Sequence, residues 1–221
     1  MLLVLMALAL QAPDTLRFPV PDRPVSRIIA ADWSDERDRD AAGEAPRVFA
    51  ALGIRAGARV ADIGAGGGYY TVRAARAVGA AGEVLAQDVM PEYLERLRAR
   101  VRRESLGNVQ LVLGTAGDPS LPGAPVDVAI LSHMYHEITN PYELLWRLAP
   151  SLAPGARVGI IDMDAPTDRH GTPPALLRCE LAAVGYRFER LVDLAPADGY
   201  LAVFAPPVTR PAPARMRACR Q

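Results

Sequence analysis

The chain has 221 residues, 50% of them hydrophobic, with 25 basic against 25 acidic side chains. That is enough for one well-buried domain with short extensions, and it excludes a disordered or fibrous protein. Every basic residue is arginine, which rules out a lysine Schiff base and a P-loop lysine, and the net charge of zero removes the broad positive field of a general nucleic-acid binder.

In chain order, Met1 to Leu10 form an apolar run too short to span a bilayer but long enough for a signal-peptide core. Ala7 and Ala9 supply an A-x-A pattern, whereas no Arg precedes the run. Residues 1–12 therefore read either as an export signal, which would place the protein in the periplasm, or as a helix packed on a cytoplasmic domain. Residues 13–42 form a charged extension in which Pro13, Pro19, Pro21 and Pro24 suggest a linker. From 43 to 205, short β-branched runs alternate with helical patterns, which predicts a mostly parallel sheet covered on both faces. The predicted strands are Arg59 to Ile63, Glu83 to Asp88, Val109 to Leu113, Val126 to Leu131 and Arg157 to Asp162.

Between the second and third strands, Pro91 opens a helix burying Leu94, Leu97 and Val101, and its arginines, Arg100 among them, read as a solvated face. Another helix begins at Asn140 as N-cap, with Pro141 in the first turn and Glu143 placed for a capping box. A third covers Pro173 to Gly185, and Tyr186 to Leu194 with Gly199 to Phe204 predicts a final hairpin. Residues 206–221, rich in Pro and Arg, read as a disordered tail. Cys179 and Cys219 show neither a disulfide framework nor a zinc spacing and are expected to be unpaired.

The most informative stretch is VADIGAGGGYY, Val60 to Tyr70, where a buried-type strand runs into Gly64, Gly66, Gly67 and Gly68 and then a helix-compatible segment. Glycines there allow positive φ and close approach of a ligand, and a following helix offers free N–H groups. The dinucleotide fingerprint would need Gly or Ala where Tyr69 stands, which weakens a nicotinamide dehydrogenase. Asp62, two residues before Gly64, would repel a pyrophosphate and suits a ligand bearing an ammonium group.

This segment resembles the first motif of the class I, Rossmann-like S-adenosylmethionine-dependent methyltransferases, in particular a subgroup with a GGGYYT first motif and a YHE or YHD segment after the fourth strand. The resemblance extends from about Glu44 to Phe204. It implies an α/β fold, a three-layer sandwich around a mostly parallel seven-stranded sheet with a C-terminal antiparallel hairpin. It also implies S-adenosyl-L-methionine as cofactor, with Asp62, Gly64, Gly66 and Gly68 in its cradle and Asp88 on its ribose hydroxyls. Thr115 and Ala116 would lie at the adenine and Ser132 beside the cofactor. Thr115 departs from the family's usual Asp there, and Asp118 either compensates or only makes a turn. Tyr69 and Tyr70 would flank the cofactor.

A methyl group passes by in-line displacement, which positioning alone can accelerate. His133 and His136, in HMYHE after the fourth strand, would sit beside the acceptor as catalytic or orienting groups. The same residues also admit a packing role or a metal, although H-x-x-H-E is not the zinc-protease helix and spacing fixes no further ligand. Asp162, Asp164, Asp168 and His170 lie on the same side of the sheet, as ion-binding or loop-solvating groups. The expected activity is methylation of a small-molecule acceptor, with no metal, no nucleic-acid partner and no stable membrane span. The alternative is a methyltransferase-like protein that binds the cofactor without turnover.

Overall fold

In the computed structural model, the described residues are 16–29, 36–197 and 199–220, so the predicted leader lies outside them. Seven strands among these form one sheet in the order β3-β2-β1-β4-β5-β7-β6. They are β1 Arg59–Ile63, β2 Glu83–Asp88, β3 Val109–Leu113, β4 Val126–Ser132, β5 Leu152–Asp162, β6 Arg187–Asp193 and β7 Tyr200–Ala205. The helices are α1 Glu36–Ala41, α2 Glu44–Leu52, α3 Tyr69–Val78, α4 Pro91–Arg103, α5 Pro141–Leu148 and α6 Pro174–Val184. β1 to β5 run parallel, and β7 inserts antiparallel between β5 and β6. The expected three-layer, Rossmann-like sandwich is therefore present, with the hairpin at its end.

Alternation along the strands explains the layers. Val60, Val84, Val128, Ile130, Leu201 and Val203 face α2 and α3 on one side, while Ala61, Ile63, Leu85, Leu131 and Phe204 face α5 and α6 on the other. Each strand residue points opposite to its neighbour, so a run buried on both faces reads as continuously apolar. α4 adds to the layer by seating Leu97 on Ala65 and Ala86. The chain crosses from β3 at one edge to β4 on the far side of β1, and this reversal of order opens a crevice at the carboxyl ends of β1 and β4.

Four local expectations are corrected, three of them by contacts distant in sequence. Glu143 closes no capping box: its Oε1 accepts from Arg147 Nε at 2.9 Å, one turn on, and the Asn140 side chain makes no cap bond. Arg100 is not on a solvated face, because it donates to Glu36 and to the Gly67 carbonyl. Residues 16–29 of the Pro-rich extension are not a free linker. Arg23 makes a 2.9 Å ion pair with Glu180, both side chains fully buried, and Tyr135 donates its hydroxyl to the second oxygen of Glu180. Ser26 Oγ donates to the Thr167 carbonyl, and Thr167 Oγ1 donates to the Pro24 carbonyl, tying the same segment to the body of the domain.

The fourth correction concerns the other end. Cys179 on α6 and Cys219 are joined by a disulfide, with their Cα atoms 6.0 Å apart. The stretch beyond residue 205 packs rather than dangling: Met216 and Cys219 are buried, Trp146 Nε1 donates to the Pro211 carbonyl, and Arg210 lies 3.7 Å over the Trp146 ring. An arginine stacked on an indole contributes apolar contact as well as charge, which composition alone does not reveal.

The disulfide closes a 40-residue separation, so Cys219→Ser is expected to lower stability by about 2–4 kcal/mol. The measurement is guanidinium unfolding under non-reducing conditions, and an unchanged midpoint would mean that the tail is held without the bond.

Candidate functional site

The crevice holds a cavity of about 250 Å³ lined by Asp62, Gly64, Gly66, Asp88, Thr115, Ala116, Ser132 and His133, among others. Gly68 and His136, also expected at the site, are not in its lining, and Gly67 takes the place of Gly68.

The glycine turn has separable requirements. Gly64 has φ +68°, and a Cβ there would meet the Met134 side chain at 2.8 Å, so its emptiness keeps the β1 and β4 loops close. Gly68, with φ +85°, is the residue before α3, and a Cβ on it would collide with Leu97 of α4. Its need for glycine thus comes from helix packing and backbone conformation. Gly66 donates its N–H to Asp88 Oδ2 at 2.9 Å, while Asp88 Oδ1 accepts from Met90 N at 2.9 Å. Asp88 therefore fixes the turn and begins α4, yet each carboxylate oxygen keeps capacity for a further donor. Burial raises its pKa, against the N–H groups of Met90, Gly66 and Val89.

Asp62 is deeper. It is 2% exposed and accepts from Thr71 Oγ1 at 2.6 Å, and burial pushes its carboxyl up to about 6. Gln87, beside it on β2, accepts from Gly64 N through Oε1, and its buried Nε2 has no hydrogen-bond partner among the described residues. Gln87 also lines the cavity, and a buried amide donor without a partner calls for an acceptor. A carboxylate with spare acceptor capacity, an orphan donor, a deep acid and a turn held open by glycine are compatible with a nucleoside that also carries an ammonium group.

His133 follows β4 with φ 51°, its N–H donating to the Ile161 carbonyl. Burial, reinforced by the Arg39 guanidinium, lowers its imidazole to about 4, so it is neutral at neutral pH and a weak base, unlike an ordinary histidine. His136 lies behind the cavity wall and donates through Nδ1 to Asp162 at 3.0 Å. Its neighbour Glu137 does line the cavity and is raised to about 7 by burial. Thr115 accepts from Asp118 N at 3.1 Å, the turn expected of that pair.

The sequence reading missed the cavity's outer wall. α1 brings Arg39 over the ring of Tyr69, 3.6 Å from its centroid, and into a 2.5 Å pair with Glu44, which also accepts from the Tyr70 hydroxyl. Glu36 pairs with Arg73 and Arg100. The available signal was the charge alternation ERDRD opposite the arginines of α4, but only the fold pairs them. Tyr69, Tyr70, Glu36 and Arg39 all line the cavity.

Residues 60–155 match the family model for a methyltransferase domain. The chain is 30% identical over 142 residues to an arsenite methyltransferase of Halobacterium salinarum, a match covering 62% of this chain and 36% of that protein. It is 32% identical over 117 residues to the ubiquinone/menaquinone biosynthesis C-methyltransferase UbiE of Azotobacter vinelandii, covering 52% and 46%. The chain thus spans less than half the length of these curated relatives.

Among solved structures, it is similar to an S-adenosylmethionine-dependent methyltransferase from Aquifex aeolicus, with a TM-score of 0.67 and 23% identity over 77% of this chain and 97% of that one. It also resembles the glycopeptide N-methyltransferase MtfA complexed with sinefungin, with a TM-score of 0.62 and 16% identity over 75% and 86%. The [4+2]-cyclase SpnF shares the fold at a TM-score of 0.67 and 16% identity, over 85% and 90% of the two chains. These matches show a methyltransferase-like fold, with residues 60–155 as the part that the family model matches. The fold alone does not dictate the reaction. Among the described residues no helix is long and apolar enough to cross a membrane.

Because Asp62 ionises near 6 when folded and near 3.8 otherwise, the cofactor-free folded state holds its proton more tightly than the unfolded chain. Stability from this group is therefore lost as pH rises through that window. Asp62→Asn keeps an acceptor for Thr71 and should gain on the order of 2–3 kcal/mol relative to the parent across it. Parallel pH–stability curves for the two proteins would remove the buried acid as the cause.

Proposed function

We propose that this chain is a class I S-adenosylmethionine-dependent methyltransferase of the GGGYYT and YHE subgroup, acting on a small-molecule acceptor. The observation that carries the reading is the Asp88 carboxylate, bound to Gly66 N across the mouth of a cavity placed at the sheet's reversal of order. In this reading Asp88 accepts from the ribose hydroxyls, Thr115 and Ala116 border the adenine, and Asp62 faces the amino group. Gly64, Gly66 and Ser132 leave room for the chain between them, and Gly68 acts indirectly by seating α3 against α4. Gln87 Nε2 supplies a further donor.

The cofactor, when bound, supplies an electrophilic methyl group on a sulfonium. The protein's part is to hold the acceptor in line and keep water away. His133 at the wall after β4 orients the acceptor as a neutral imidazole, since its low pKa makes it a poor proton acceptor at neutral pH. His136 is a positioning residue behind that wall, held by Asp162.

A second reading, a cofactor-binding protein without turnover, draws support from the Cys179–Cys219 disulfide. Such bonds persist in oxidising compartments, which agrees with export by the leader and with a site separated from the cofactor's supply. Cell fractionation with thiol trapping separates the two: reduced full-length protein in the cytoplasm favours the enzyme, and oxidised protein in the periplasm favours the silent binder.

Isothermal titration with S-adenosylhomocysteine should show saturable binding, and Asp88→Ala should weaken it by about 1–3 kcal/mol, the effect of stranding hydroxyls without a charged acceptor. Absence of binding by the parent protein at millimolar ligand would reject the reading.

A further inference from the structure

We propose that His136, Glu137 and His170 form a binding site for a divalent transition-metal ion, with Zn²⁺ the best match to their chemistry. The inference goes beyond methyl transfer and does not rest on it. Ligand-type atoms of the three side chains lie within 4.8 Å of one another. His136 Nε2 is 3.9 Å from Glu137 Oε1, and the two imidazole rings stand 5.4 Å apart and nearly perpendicular.

What points to a cation is the orientation of the nitrogens. His136 is 1% exposed, and its Nδ1 lies 3.0 and 3.1 Å from the two oxygens of Asp162. A carboxylate can only accept, so Nδ1 carries a proton, and in the neutral ring Nε2 then presents its lone pair toward Glu137. That Nε2 and His170 Nδ1 are both buried, with no hydrogen-bond partner among the described residues. Nε2 and the carboxylate of Glu137 both seek a positive group, and at 3.9 Å no hydrogen bond joins them.

The arrangement also has the supporting contacts that metal-binding histidines use. Imidazole ligands donate their other nitrogen to a carboxylate, which fixes tautomer and ring orientation, and Asp162 plays that part for His136. Asp162 is fixed in turn by Thr172 Oγ1 at 2.7 Å and Met163 N at 2.9 Å. Glu137 accepts from Ile29 N at 3.2 Å, which holds it in place from the N-terminal segment. His170 sits at φ 54° in the left-handed region, at the end of the short turn Thr167–Arg169.

Two imidazoles and one carboxylate suit Zn²⁺ and leave a coordination position open. A tetrahedral ion at ~2.0–2.2 Å from its ligands would set them about 3.4 Å apart, so small side-chain rotations close the present gaps. Both cysteines are in the disulfide, and no free thiol competes among the described residues. Because Glu137 lines the cavity, an ion bound here would border it on the side of His133.

The test uses untagged full-length protein, stripped of metal and without cofactor, titrated with Zn²⁺ and separately with Co²⁺. One tightly bound equivalent of Zn²⁺ and the visible absorption of imidazole-bound Co²⁺ are expected. His170→Ala should weaken Zn²⁺ binding by roughly a hundredfold or more, and Glu137→Gln should weaken it as well. Thermal unfolding of the metal-free His170→Ala protein, expected to match the parent, guards against misfolding as the cause. No binding at submillimolar metal, or equal affinity in parent and His170→Ala, would overturn the site. Since no cofactor is present, that result would leave the methyl-transfer reading standing.

Discussion

The fully buried carboxylate of Asp162 organises the carboxyl edge of the sheet. It ends β5, lies out of contact with water, and gathers the His136 ring, the Thr172 hydroxyl and the Met163 N–H. A buried acid without such partners would cost several kcal/mol, so the loops after β4 and β5 must both close on it. The same closure sets His133 and Glu137 at the cavity and brings the Thr167–Arg169 turn against the short Tyr135–Glu137 turn. Tyr200 of β7 completes the cluster by donating its hydroxyl to the Thr172 carbonyl at 2.5 Å. The antiparallel strand is thereby joined to the site, although it supplies no lining residue.

Around this edge the protein relies on arginine–carboxylate pairs where lysine would serve poorly. Planar guanidinium groups engage carboxylates through two nitrogens and stack on aromatic faces. Arg39 does both, with Glu44 and Tyr69, and Arg73 pairs with Asp40 through Nε and Nη2 while lying 3.8 Å over the same ring. These contacts fix α1 as the outer wall of the cavity. Buried or half-buried pairs of this kind specify geometry more surely than they add stability, which suits a wall that must stay in register with a ligand.

What could be read from the sequence follows from how local each signal is. The β1 to β5 runs, the α4 and α6 helices and the final hairpin are legible because their burial is written in neighbouring residues. β5 begins at Leu152, five residues earlier than expected, because LAPGA lacks the β-branched residues that mark a strand yet pairs with Val126 at its start. The cavity's floor at Asp62, Gly64, Gly66 and Asp88 was legible from spacing along one βα turn. Its α1 wall was not, since Glu36 meets Arg100, and Arg39 meets the Tyr69 ring, only in three dimensions. The Cys179–Cys219 bond and the Trp146–Arg210 stack escaped for the same reason: Pro and Arg describe a solvated tail by composition, and a partner far away in the chain overrides it. His136 and His170 illustrate the intermediate case, flagged singly by type but joined only by the fold.

Cys179 and Glu180, adjacent on α6, hold the two extremities of the described chain, one through sulfur and the other through Arg23. Arg23 and Glu180 are separated by 157 positions. A polypeptide emerging from a ribosome or threading a translocation channel must therefore keep that guanidinium hydrated until nearly the whole domain has followed. The amino-terminal segment around Arg23 thus docks late, and whatever assembles before α6 arrives does so with the Tyr135 hydroxyl still lacking its Glu180 acceptor.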